Sequence, residues 1–262
     1  MKERIAWIGG NQKRHLYYIN KIVENFNVVG GIMQERKGLP MPPSDIKTQD
    51  LINWTRHFGM REIAEDAYFG EQEEPDIKIF KVDKDTLNES ESAEFIKKLN
   101  PEIVLIFGSG MIREPLLSVL PKDTINLHLG LSPRYRGAAT LFWPFYFLEP
   151  NWVGTTFHYI VQTPDGGDII HQVRPVLDRN DRIHDVECKA VLESTTEAVT
   201  LLKMYPNWKK FEQKPESGKN FLESDFQPQH LRLIYSEFDN DIVRAYLDGE
   251  IKPKEPNLKR QF

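Results

Sequence analysis

Short apolar runs alternate along this chain with segments whose apolar positions recur every three or four residues. "RIAWIGG" (residues 4–10) reads as a buried strand closing on two glycines, and in the "NQKRHLYYINKIVENF" that follows, Leu16, Ile19, Ile22 and Val23 mark one helical face. "NVVGGIM" supplies a second strand, so the chain opens with a β-α-β unit. "DIKIFKV" alternates like a strand. "ESAEFIKKLN" has helical spacing and stops at Asn100-Pro101, because proline disfavours helix in the residue before it. "EIVLIFGSG" is the clearest buried strand, followed by a short helix in "MIREPLLSVL" and a strand opening "INLHLGLSPRYRG". A helix in "AATLFWPFYFL" comes next, then strands in "GTTFHYIVQ" and "DIIHQVRPV", and a long helix over "RIHDVECKAVLESTTEAVTLLKM". Strands alternating with helices predict an α/β fold, a mostly parallel twisted sheet covered on both faces.

Two regions depart from this alternation. Residues 35–75 begin rich in proline and charge ("ERKGLPMPPSD") and turn helix-like around "DLINWTRHFGMREIAEDAYFG", which reads as an irregular helical insertion. From residue 206 the chain becomes polar with scattered aromatics, ending in a helix-like "HLRLIYSEFDNDIVRAYLDG" and a charged tail. The expected organisation is a main domain over 1–205. A short extension over 206–262 would pack on that core or on a second subunit, which leaves a homodimer open.

Composition narrows the class. The 28% charged and 40% hydrophobic residues of the 262-residue chain suit a folded soluble domain. A net charge of −5 without a long basic stripe argues against double-stranded nucleic acid as the main partner. Cys188 is the only cysteine, which excludes an intramolecular disulfide and fits a reducing, cytoplasmic setting. The start lacks the apolar run of a signal peptide, and no stretch approaches the ~20 apolar residues of a membrane span.

Most familiar chemistries lack their signatures. The glycine turns "WIGGNQK" and "FGSGMI" do not have dinucleotide spacing, there is no GxSxG elbow, and the histidines lack metal-ligand spacing. No metal is expected. His158 and His171 lie in apolar strands and read as satisfied structural histidines. The first glycine turn leads into a helix start beside Lys13 and Arg14, a setting compatible with phosphate. "INLHLGLSPRYRG" is more informative. Strand side chains alternate, so Asn126 and His128 share a face at a strand end, and Asp165 of "QTPDGGD" follows some forty residues on. In a parallel sheet these groups can meet in the crevice at the strand ends. An amide that donates, an imidazole that titrates near neutrality and a carboxylate that orients it suit acyl transfer between nitrogens without a covalent enzyme intermediate.

These segments resemble a known family. "INLHLGLSPRYRG" is similar to the Asn-x-His…Pro-x-x-Arg-Gly segment of the folate-dependent formyltransferases, and "GTTFHYIVQTPDGGDIIHQ" to their Gly-x-Thr…Asp-x-Gly segment. With "PEIVLIFGSGMIREPLLSVLP" the likeness runs over roughly residues 101–172. It implies a Rossmann-like catalytic domain and 10-formyltetrahydrofolate as formyl donor. It also implies that Asn126 stabilises an oxyanion, that His128 acts as acid or polarising group, and that Asp165 holds His128 and moves a proton. By the same analogy the folate would enter a slot made by Ser109, Gly110, Met111, Ile112, Thr163 and Pro164. Lys13, Arg14, Arg134 and Arg136 are the candidate acceptor contacts. In size and in having a short appendage the chain resembles most the N-formyltransferases of nucleotide-linked 4-amino-4,6-dideoxy sugars used in surface polysaccharide biosynthesis. The alternatives are another amine acceptor, a formyltetrahydrofolate hydrolase, and a protein that binds folate or a nucleotide sugar without transfer.

Overall fold

The computed structural model describes residues 3–36, 38 and 40–262. In chain order the elements are β1 (Ile5–Gly10), α1 (Lys13–Asn25), β2 (Val28–Gln34), α2 (Thr48–Phe69), β3 (Ile79–Val82), α3 (Ser90–Leu99) and β4 (Ile103–Phe107). They continue with β5 (Asp123–His128), β6 (Tyr135–Gly137), α4 (Phe142–Tyr146), β7 (Thr155–Tyr159), β8 (Ile169–Val173), α5 (Ile183–Lys203), β9 (Lys219–Phe221) and α6 (Ile242–Leu247).

Seven strands form one sheet in the order β3-β2-β1-β4-β5-β7-β8. The first five are parallel, and β7 and β8 run antiparallel to their neighbours. This is the Rossmann-like α/β fold, with the expected mostly parallel sheet between helices. The two-residue period of the strands divides the core: Ile5, Trp7, Leu105, Phe107, Ile125 and Leu127 meet α1 and α5 on one face. On the other, Ala6, Ile8, Val104 and Ile106 meet Ile96 and Leu99 of α3. Burying both faces is why these strands read as continuous apolar runs.

Three expectations need correction. The stretch over 35–75 contains a regular 22-residue helix, α2, which packs against α1 and α5 as part of the helical layer. The helix expected in "MIREPLLSVL" is a single short turn at Leu117–Val119. The helix expected in "AATLFWPFYFL" is confined to the five residues of α4.

The segment after α5 runs back over the main domain. Phe211 pairs with Ile169 of β8, β9 pairs in parallel with β6, and the Gln172 N–H donates to the Lys259 carbonyl. An ion pair of Asp50 with Arg232 and a hydrogen bond from Asn53 to Ser236 tie α2 to the same segment. Among the described residues no helix is long and apolar enough to cross a membrane.

Candidate active site

Strand β5 positions the first two groups. Ile125 and Leu127 enter the core beneath α1 and α5, so Asn126 and His128 emerge on the α3 side of the sheet, in register with Ile106 of β4. That face is not open to water: His128 is 6% exposed. The antiparallel pairing of β7 then sets His158 directly opposite Asn126, 3% exposed, with its Nε2 3.1 Å from the Asn126 amide nitrogen. His158 therefore belongs to the site and not only to the core. His171, one strand further out, is structural: its Nε2 lies 2.5 Å from Glu197, and its Nδ1 accepts from the Gln261 N–H.

Asp165 arrives from the loop between β7 and β8. By register that loop leaves the sheet beside Ile125, and it folds back so that Asp165 Oδ2 stands 3.3 Å from His128 Nδ1 and Oδ1 3.4 Å from His158 Nε2. Asp165 adopts a φ of +47°, a left-handed conformation that Asp tolerates better than most residues. Neighbours hold it there. Arg136 donates to the Pro164 carbonyl, Gln213 donates to the carbonyls of Asp165 and Gly167, and the Gly137 N–H donates to Asp165 Oδ2 at 2.9 Å.

The hydrogen-bond directions fix the protons. A carbonyl can only accept, so His128 Nε2–H donates to the Tyr135 carbonyl (2.9 Å) and His158 Nδ1–H to that of Tyr159 (2.9 Å). In its neutral form each imidazole thus turns a bare nitrogen toward Asp165. Burial pulls the Asp165 carboxyl up, but attraction to a proton carried by the facing imidazoles, together with the Gly137 N–H, outweighs it and holds the carboxyl well below the usual carboxylate range, so a proton entering the set settles on an imidazole and not on Asp165. Burial also lowers the proton affinity of His128, and Asp165 only partly restores it. Near neutral pH the set is an ionised carboxylate beside a neutral imidazole, ready to take up one proton.

These groups line a cavity of about 840 Å³. Ser109, Gly110, Met111, Ile112, Thr163 and Pro164 line it too, and Ile106, Ile160 and Val161 add apolar wall. Of the four basic candidates only Arg14 reaches the cavity. Lys13 is spent on Asp66 and Glu71. Arg134 pairs with Glu149 and lies over the Trp152 ring, while Arg136 sits beneath the wall, donating to Pro164 and Pro215.

Part of the remaining lining comes from residues that the sequence did not single out, among them Arg36, Trp54, His57 and Arg61. The last three recur at helical spacing on one face of α2, which was the available signal. The glycine turns also serve differently from expectation. A Cβ at Gly10 or Gly108 would fall 2.4 or 2.2 Å from the ring of His15, so they make room for an imidazole packed between β1 and β4.

Comparison with known proteins bears on the family and the fold. Residues 60–200 match the sequence model of the formyl transferase family. The methionyl-tRNA formyltransferase of Clostridioides difficile is 29% identical over 148 residues, 53% of this chain and 48% of that protein. The match therefore spans about half the length of that curated relative. Among solved structures, a sugar N-formyltransferase from a Shewanella species superimposes with a TM-score of 0.56 at 15% identity, covering 88% of this chain and 87% of that one. The N-formyltransferase of Helicobacter canadensis, solved with folinic acid and dTDP-3-aminofucose, gives 0.55 at 16% identity over 95% and 82%. Phosphoribosylglycinamide formyltransferase from Anaplasma phagocytophilum gives 0.55 at 18% over 78% and 86%. At these identities the structural likeness is one of fold.

Proposed function

Since the chain belongs to the formyl transferase family, we propose that it moves a formyl group from 10-formyltetrahydrofolate to the amine of a nucleotide-linked amino sugar. The observation that carries this reading is the convergence of Asn126, His128, His158 and Asp165 in the wall of one cavity.

The apolar arm between residues 109–112 and 160–164 suits the pterin of the donor, which brings the formyl carbon. The Asn126 amide donates to the formyl oxygen as negative charge gathers there during attack by the amine, a contribution of ~10²–10³ in rate for one preorganised donor. His158 and Asp165 orient Asn126, whose amide nitrogen lies 3.1 Å from His158 Nε2 and donates to Asp165 Oδ1 at 3.4 Å. Attack makes the amine nitrogen acidic. His128 and Asp165, which together lack one proton, receive it and return it to the departing folate nitrogen. Retention of that proton by the pair is worth ~10²–10⁴.

An amino-sugar acceptor is supported by the sugar N-formyltransferases, whose fold matches over most of both chains. The absorbance of released tetrahydrofolate provides the test. The protein and 10-formyltetrahydrofolate meet a panel of nucleotide-linked amino sugars, glycinamide ribonucleotide, charged initiator tRNA, or buffer alone. Turnover with one amino sugar is the expected result. Release in buffer alone identifies a hydrolase, and turnover only with tRNA or glycinamide ribonucleotide overturns the acceptor assignment.

A further inference from the structure

One part of the cavity lining, termed its second arm, takes no part in the formyl-transfer chemistry. One face of α2 lines it: Trp54, His57, Phe58 and Arg61 recur every three or four residues and point inward, whereas Ile52 and Ile63 are 56% and 70% exposed on the other side. Arg14 from the start of α1 and Arg36 from the end of β2 complete the lining.

Arg14, Arg36 and Arg61 line this part of the cavity together with two acids, Glu187 and Glu223. Arg14 and Arg61 share a single carboxylate oxygen, Glu65 Oε1, at 2.7 and 2.9 Å. Arg36 has no ion pair among the described residues, and its main chain is held against the β1–α1 turn by two hydrogen bonds with Asn11. Glu187, the nearby acid on α5, is committed to His184 at 2.7 Å. Burial, and after it the charges of these three arginines, depress the affinity of His15 for a proton. Burial and the neighbouring Arg61 lower Arg14 to about 10, so it keeps its charge at neutral pH. Guanidinium groups cannot relieve their repulsion by losing protons, and an anion seated among them would.

An aromatic wall adjoins the guanidinium groups. Trp54 stands 5.9 Å from Phe226, which meets Phe142 edge-on at 4.8 Å, and the Trp54 indole N–H donates to the Pro40 carbonyl. Guanidinium groups beside large aromatic faces match a ligand that joins phosphate to a flat heterocycle.

We propose that Arg14, Arg36 and Arg61, with Trp54 and Phe226, form the subsite for the diphosphate and base of the acceptor nucleotide. The inference rests on the reading of the adjoining wall as the formyl-transfer centre. The acceptor then spans both arms, its amine at Asn126 and its diphosphate at the arginines. The anionic tail of the folate is the competing occupant, and the test separates the two.

Calorimetric titration of the full chain with UDP, dTDP, CDP, GDP and inorganic pyrophosphate measures this arm, and titration with 5-formyltetrahydrofolate measures the donor arm. One nucleoside diphosphate is expected to bind more tightly than pyrophosphate. Arg36→Ala, at an exposed position where folding is not at stake, and Arg61→Lys should each weaken it at least tenfold. Trp54→Ala should weaken the nucleotide but not pyrophosphate, and all three should hold 5-formyltetrahydrofolate within twofold. Unchanged nucleotide affinity in Arg36→Ala and Arg61→Lys overturns the subsite, as does a loss that falls on 5-formyltetrahydrofolate instead. Formyl transfer to an amine together with indifferent nucleotide binding refutes the subsite alone. The expected binding pattern without transfer to any amine supports the subsite and refutes the reading of the chemistry.

Discussion

At the scale of single residues, the cluster around Asp165 sets stability against chemistry. A neutral His128 offers a lone pair to a carboxylate 3.3 Å away, an arrangement that one more proton would relieve. Asp165→Asn keeps the shape, but the oxygen facing His128 also accepts from the Gly137 N–H, so an amide placed there gains one partner at the expense of the other. The variant should stay folded with a melting temperature near that of the native chain, while turnover falls ~10²–10⁴-fold because the proton acceptor is gone. Thermal denaturation beside single-turnover transfer reads both effects. Asn126→Ala should lower the transfer rate by ~10²–10³ and leave donor affinity nearly unchanged, because its hydrogen bond strengthens only as the formyl oxygen gains charge. The acid limb of the rate profile should also lie below pH 6.5, the ordinary histidine value, since burial makes His128 harder to protonate. A limb centred above that value would contradict the assigned base.

At the scale of elements, the small ribbon of β6 and β9 does more than its three residues per strand suggest. Gly137 at its end has a φ of +87°, and a Cβ there would fall 2.1 Å from the Phe221 carbonyl. Gly137→Ala should therefore open the ribbon and withdraw an N–H from Asp165, so that transfer activity and the unfolding midpoint fall together. Arg136→Ala leaves the carbonyls of Pro164 and Pro215 without donors, at a cost of ~1–3 kcal/mol measurable by urea unfolding. Helix α2 shows why one region was harder to read than the rest. Its inward stripe carries Asn53, His57, Arg61 and Glu65 among Trp54 and Phe58, while Ile52 and Ile63 face outward. A pattern that equates apolar with buried finds no clean face there, because the stripe borders a polar cavity as well as the core. Asn126, His128 and Asp165 were legible because their spacing carries a family likeness. His158 was not, because its proximity to Asn126 depends on β7 running antiparallel to β5.

At the scale of the whole molecule, the buried histidines tie folding to pH. His15, His57 and His128 are 1%, 5% and 6% exposed, and burial holds all three below the ordinary value of 6.5. The unfolded chain therefore binds more protons than the native one as pH falls through 6.5, and stability declines in that direction. For three such groups the slope approaches about 4 kcal/mol per pH unit, from ~1.4 kcal/mol per proton. Urea midpoints at pH 7.5 and 5.5 measure it, and His15→Gln should remove about a third of the slope. A midpoint that rises on acidification would refute this account.

By itself the sequence determined the alternation of strands and helices, since apolar periods of 2 and 3.6 follow from local backbone geometry, and it marked the Asn, His and Asp that recur in one family. Only the tertiary structure decided what those periods cannot encode. Strand order and direction put His158 opposite Asn126, and the packing of α2 on α1 and α5 gathered Arg14, Arg36 and Arg61 around one arm of the cavity. The return of the C-terminal segment set Gln213 beneath the Asp165 loop. Such contacts join residues tens to hundreds of positions apart, and their energy depends on distance in space and on burial, which no local pattern records.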